Sequence, residues 1–129
     1  MEKLKTFSPF ILRVGISLVF LWFGSNQIMD PKTWAGFVPD SVVSMSHLDV
    51  NTLVYLNGIF EITLGSALLL GFFTRLSALL LALHIIDITY IVGFDATGVR
   101  DFGLSIATLA VFLNGMDTIS LDYWTKRQS

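Results

Sequence analysis

Residues 58–78 read GIFEITLGSALLLGFFTRLSA. Every position from Ile59 to Phe73 suits lipid except Glu61, which stands between Gly58 and Gly65. So long an apolar run reads as a membrane-spanning helix. An ionised carboxylate at its centre costs at least about 2.5–3.5 kcal/mol even on the most lenient insertion scale. Protonation or a cationic partner would remove that cost. The fold has to explain where Glu61 faces.

Composition supports the membrane reading. The 129 residues are 53% hydrophobic and 14% charged, and the mean hydropathy is +0.71. A soluble domain carries roughly a quarter charged residues. A net charge of −2 leaves no basic stripe to neutralise phosphates, which excludes an electrostatic nucleic-acid binder. Cysteine is absent, so the chain itself cannot exchange thiols, ligate an iron–sulfur cluster through Cys or form a disulfide.

Four apolar stretches approach the roughly 20 residues that cross a bilayer. They cover about 7–29, 52–73, 76–94 and 102–121. Asn114, Gly115 and Asp117 interrupt the last, so an early end with the remainder along the surface is an alternative. The first is too long for a signal sequence, contains Arg13 and is followed by no small-x-small cleavage site. It is expected to be retained. FFTRLS at 72–77 forces a tight hairpin between the second and third spans, and GFDATGVRD at 93–101 is another short turn. The outer loop 30–50 is the long connection. Asp30-Pro31 is a good helix start, and Trp34 and Phe37 follow on an amphipathic turn expected to end before Pro39. Trp22, Trp34, Tyr123 and Trp124 read as interfacial anchors and packing rather than as a cofactor box. Lys3, Lys5, Arg13, Arg75, Lys126 and Arg127 fall on one side against Lys32 and Arg100 on the other. The bias predicts a multi-pass protein of the inner (cytoplasmic) membrane with both termini cytoplasmic.

The intramembrane polar residues are aligned rather than scattered. Arg13, Ser17, Gly24 and Gln27 share a face of the first span, with Phe20 filling the gap. Asn57, Gly58, Glu61 and Gly65 do so in the second, Ser77, His84 and Asp87 in the third, and Asp101, Ser105, Thr108 and Gly115 in the fourth. Small residues let helices approach and polar side chains find partners across the gap. The fold expected is all-α, a single membrane-embedded antiparallel four-helix bundle with a polar interior. At about 1.5 Å per residue, Glu61 lies roughly 14 Å from the outer end of its helix and His84 about 12 Å from the inner end of the next. Asp87 sits one turn further out, and Arg13 is able to reach inward or snorkel out.

At this point the chain resembles the DoxX/DoxD-like group of small four-helix membrane proteins. The likeness runs through LRVGISLVFLWFGSNQIMDPKTWAGFVP at 12–39, FEITLGSALLLGFFTRLSALLLAL at 60–83 and VRDFGLS at 99–105. It spans about residues 10–115. Gln27 stands where the group's pattern has Lys, and HIIDITY at 84–90 is more polar than the usual third helix. The resemblance implies association with membrane redox systems, since the DoxD-like branch belongs to thiosulfate:quinone oxidoreductases. Most members have no assigned chemistry, so it speaks to fold and setting more than to reaction.

These readings combine into an expectation. The chain is expected to be a membrane subunit or accessory of a redox system, at most part of a quinone-linked oxidoreductase, without a complete catalytic site of its own. Glu61, His84, Asp87, Arg13 and Asn57 are its candidate ligand and proton site. A quinone or similar small hydrophobic molecule is the expected occupant, with no metal and no covalent cofactor. Partners are the lipid bilayer and either other membrane or peripheral redox subunits or further copies of the chain, with no nucleic acid. The alternatives are a small proton-coupled transporter or channel-like protein and a purely structural subunit. Each residue also has a structural reading: Glu61 locked to Arg13 or Asn57, His84 and Asp87 satisfying each other at i,i+3, and Arg100-Asp101 capping a helix start instead of forming an outer-mouth pair. His84 lacks a second intramembrane histidine for haem, and His47 is a lone loop histidine with little support as a metal ligand.

Overall fold

Each long helix ends where its sequence stops supporting one. In a computed structural model, which describes residues 2–93 and 95–125, the elements are α1 (Glu2–Met29), α2 (Pro31–Ala35), α3 (Asp40–Ser46), α4 (Val50–Leu70), α5 (Thr74–Val92), α6 (Ala96–Asn114) and α7 (Leu121–Thr125). Phe94, expected as the end of the third span, and Lys126 and Arg127, counted in the charge bias, lie outside the described residues.

The second span stops at Leu70 rather than Phe73 because Gly71 takes the left-handed conformation (φ 72°) and closes the helix onto the Ala67 and Leu68 carbonyls. The fourth differs most from expectation. It begins at Ala96, not Phe102, because the Asp95 side chain accepts from the Gly98 amide and caps it there. It ends at Asn114, not Leu121, and α7 follows as a separate short helix. Within the long connection α2 ends at Ala35, before Pro39 but short of Phe37, expected on the same turn as Trp34. Pro39 then opens a further helix, α3, which the sequence reading did not contain.

Among the described residues four helices, α1, α4, α5 and α6, are long and apolar enough to cross a membrane. They pack as an antiparallel bundle in which α1 lies against α4 and α5 against α6, with the α4–α5 hairpin joining the pairs. The buried face of α1 carries Arg13, Ser17, Phe20, Gly24 and Gln27, that of α4 carries Gly58, Glu61 and Gly65, and that of α6 carries Asp101, Ser105 and Thr108. These are the stripes the sequence shows, and the exposed remainder is Leu, Ile, Val and Phe. A bundle turned this way hides polar groups and offers hydrocarbon to lipid. A hydrophobic core of Ile16, Phe20, Leu68, Leu81, Ile85 and Val111 fills the middle of the bundle.

Candidate functional site

Two polar centres occupy opposite ends of the bundle. At the connection end, Glu61 is buried and held from both sides by amides. Gln27 Nε2 donates to Glu61 Oε2 at 3.2 Å, and Asn57 Nδ2 donates to Glu61 Oε1 at 3.2 Å. Asn57 Nδ2 also donates to Gln27 Oε1 at 2.6 Å, which closes a ring of three side chains across α1 and α4. The ring is possible because Gly24 and Gly58 let the two backbones meet beside it.

From α5, His84 presents Nε2 to Glu61 Oε1 at 3.5 Å. That atom is buried and has no hydrogen-bond partner. A buried polar atom left unpaired costs about 1–3 kcal/mol, and such sites are where ligands or ordered water take the missing place. The His84 ring also lies against Phe60, with ring centres 4.6 Å apart and planes tilted by 45°.

Above this floor lies a cavity of about 280 Å³. Its walls are Phe20 and Phe23 of α1, Val54 of α4, Ile88 and Ile91 of α5 and Leu104 of α6. Trp34, Phe37, Pro39 and Val42, contributed by the long connection, roof it over. Trp34 packs edge-on to Phe23 at 5.5 Å and against Phe37 at 5.8 Å. Trp34 thus has the packing role expected of it, and its ring also lines the cavity. Trp22, Tyr123 and Trp124 are exposed as anchors would be. A mostly apolar concavity with a few convergent polar groups is the usual form of a small-molecule site, and this one lies at the small end of the range.

Of the residues singled out from sequence, the cavity gathers Glu61, His84, Asp87, Asn57, Arg100 and Asp101. Asp87 is exposed at the rim. It does not pair with His84, whose carboxylate neighbour is Glu61 on the adjacent helix. Arg100 and Asp101 are paired at 3.3 Å, with the Arg100 guanidinium 5.1 Å over the Phe23 ring. They lie in the second turn of α6 and do not cap its start; Asp95 does that.

Arg13 is not at this site. It sits at the opposite end, where Nε donates to Asp117 Oδ2 at 2.6 Å and Nη2 to Asp117 Oδ1 at 3.3 Å. Nη1 donates to the Leu68 and Leu69 carbonyls at 2.9 and 2.5 Å in the last turn of α4. Beside it Asp122 is fully buried and accepts from the Phe73 and Thr74 amides at 2.9 and 2.6 Å, which caps α5 from α7. Sequence reasoning missed both aspartates. The available signal was Arg13 itself, since a guanidinium committed to an interior demands a carboxylate, and Asp117 interrupts the last span.

The arrangement can hold one small, largely apolar molecule with its polar end at Glu61 and His84. A carboxylate and an imidazole already 3.5 Å apart can also pass a proton between them after a small movement. Compared with known families, residues 8–93, two thirds of the chain, match the family model described as DoxX. No curated protein and no solved structure matches the chain.

Proposed function

This chain belongs to the DoxX family of membrane proteins, and we propose that it serves a membrane redox system by binding a quinone or similar small hydrophobic carbonyl compound in the cavity above Glu61. The observation that carries the reading is the buried Nε2 of His84, which among the described residues makes no hydrogen bond, beneath a roof and walls that include aromatic rings. A carbonyl oxygen would accept from that nitrogen, the head group would stack among Phe20, Phe23, Trp34 and Phe37, and an isoprenoid tail would leave towards lipid. The cavity volume suits a head group rather than a whole prenylated molecule. Electrons are handled by a partner subunit, and the chain supplies binding and protons. The positive bias on Lys3, Lys5, Arg13 and Arg75 supports a cytoplasmic membrane with the termini cytoplasmic and the connection 30–50 outside. Below the polar floor the bundle is closed by hydrophobic core, which favours binding over passage.

Trp34 in the wall supplies the test. Short-chain quinones titrated into the purified protein should quench its fluorescence saturably. His84→Ala and Glu61→Gln should each weaken binding by about tenfold, the scale of one lost hydrogen bond. Absence of saturable quenching, or an affinity unchanged from the unmodified protein in both variants, rejects the reading.

A further inference from the structure

The cavity is bounded in two different ways. Towards the chain termini it is shut by packing, since Phe20 and Ile85 line it and also belong to the core that continues through Leu68, Leu81 and Val111. Polar side chains lie beyond that layer but do not connect. Ser17 donates to the Arg13 carbonyl at 2.7 Å, Ser105 to Phe102 at 2.7 Å and Thr108 to Leu104 at 2.8 Å. Each hydroxyl proton is thus committed inside its own helix, and none passes a hydrogen bond on from Glu61. At the far end the Arg13–Asp117 pair is locked, with both side chains 2% exposed.

Towards the long connection the apolar roof is edged by charged side chains. Asp87 lines the cavity one turn beyond His84 on the same helix and is exposed. Among the described residues it makes no hydrogen bond or ion pair. The other charged groups facing the site are Arg100 and Asp101 on α6, and they are paired with each other. α1 contributes Gln27 and α4 contributes Asn57, while the residues from α2 and α3, Trp34 and Val42, are apolar. An unpaired carboxylate on a membrane helix is costly unless it meets water, and in such helices ionisable residues mark proton paths.

We infer that the Glu61–His84 pair exchanges protons with one side of the membrane only, the side of the 30–50 connection, and that Asp87 is the port. A proton leaving His84 passes by way of water in the cavity to the Asp87 carboxylate and then to water at the mouth. Uptake runs in reverse, so no further reactant enters the balance. The inference rests on the cavity as the working site and is indifferent to whether its occupant is a quinone.

The chain has no cysteine, which makes access measurable one position at a time. Asp87→Cys, Ser105→Cys and Thr108→Cys would each be reconstituted in liposomes and treated from either side with a membrane-impermeant thiol reagent. Ser41→Cys on exposed α3 would report the side of the connection. Asp87→Cys should react only from the side of Ser41→Cys, and the two deeper positions from neither. Labelling of Thr108→Cys from the opposite side would overturn one-sided access. For the port, ligand-free protein carrying His47→Gln leaves His84 as the one histidine to follow by nitrogen-15 magnetic resonance. Asp87→Asn should slow exchange of its ring proton by roughly a hundredfold, the low end for a positioned acid–base group, and Asp87→Glu should restore it. An unchanged rate in Asp87→Asn would overturn the port. Neither experiment contains a quinone, so failure of quinone binding leaves both outcomes readable.

Discussion

Gly24 and Gly58 meet backbone to backbone. A Cβ on Gly24 would stand 2.9 Å from the Gly58 carbonyl oxygen, and one on Gly58 would stand 2.8 Å from the Gly24 carbonyl oxygen. Backbone cannot move aside as a flexible side chain can, so α1 and α4 would have to separate. Gly58→Ala should cost about 1–3 kcal/mol, as overpacking does. It should also draw Gln27 away from Asn57 and Glu61, which share that seam. Thermal unfolding in detergent reads the first effect and Trp34 quenching the second. Gly15→Ala and Gly103→Ala are the controls, because a Cβ there meets nothing within 4 Å. Equal loss in the controls would show that helix flexibility, not the contact, is responsible.

The Arg13–Asp117 pair is buried and bidentate, so removing one partner strands the other. Asp117→Asn should destabilise the protein by about 3–5 kcal/mol, and so should Arg13→Met. Arg13→Met also strips donors from the Leu68 and Leu69 carbonyls, so its loss should be the larger of the two. The double variant should cost less than the two singles added together. Chemical unfolding of all four proteins gives the coupling directly, and strict additivity would refute the pairing.

Asp122 ties the end of the chain to the α4–α5 turn, where Phe73 adopts a left-handed backbone (φ 48°). With Asp122→Ala, the Phe73 and Thr74 amides lose their acceptor. The cost should be about 1–2 kcal/mol, the range of a lost N-cap. Hydrogen exchange at those two amides should accelerate, while exchange at the α1–α4 seam stays as it was. Uniform acceleration would mean that α7 supports the whole bundle.

The bundle was legible because lipid enforces a simple rule. The charged and amide side chains in mid-span on α1 and α4 had to face inward, and periods of three and four revealed the face they share. Glu61 and its Asn57 neighbour were legible on the same ground. The site was less so, because a cavity depends on what covers it. Trp34 and Phe37 lie in a connection whose period is too short to show a direction, and no local rule folds that connection back over α1. Pairing across helices was also hidden. His84 is one turn from Asp87 in sequence, yet the bundle geometry gives it Glu61. Arg13 is 104 residues from the aspartate that neutralises it, a separation at which sequence pattern carries no register.

Gln27 offers the sharpest test of how Glu61 is held. Both Glu61 oxygens accept from amide N–H groups, the arrangement of an acceptor-only carboxylate. Gln27→Leu removes one of those donors and the acceptor used by Asn57, and should cost about 1–3 kcal/mol. Gln27→Lys also loses the Asn57 acceptor but puts an ammonium beside the carboxylate. Against an ionised Glu61 the ammonium completes a pair, so Gln27→Lys should unfold at a higher temperature than Gln27→Leu. Against a neutral carboxyl it would be a buried unpaired charge, and the order would reverse. Combining each with Glu61→Gln separates the cases, because the advantage of Lys over Leu should vanish once the carboxylate is gone. An advantage that survives Glu61→Gln would mean the lysine has found another partner, and the ring of Gln27, Asn57 and Glu61 would not be what holds this end of the bundle.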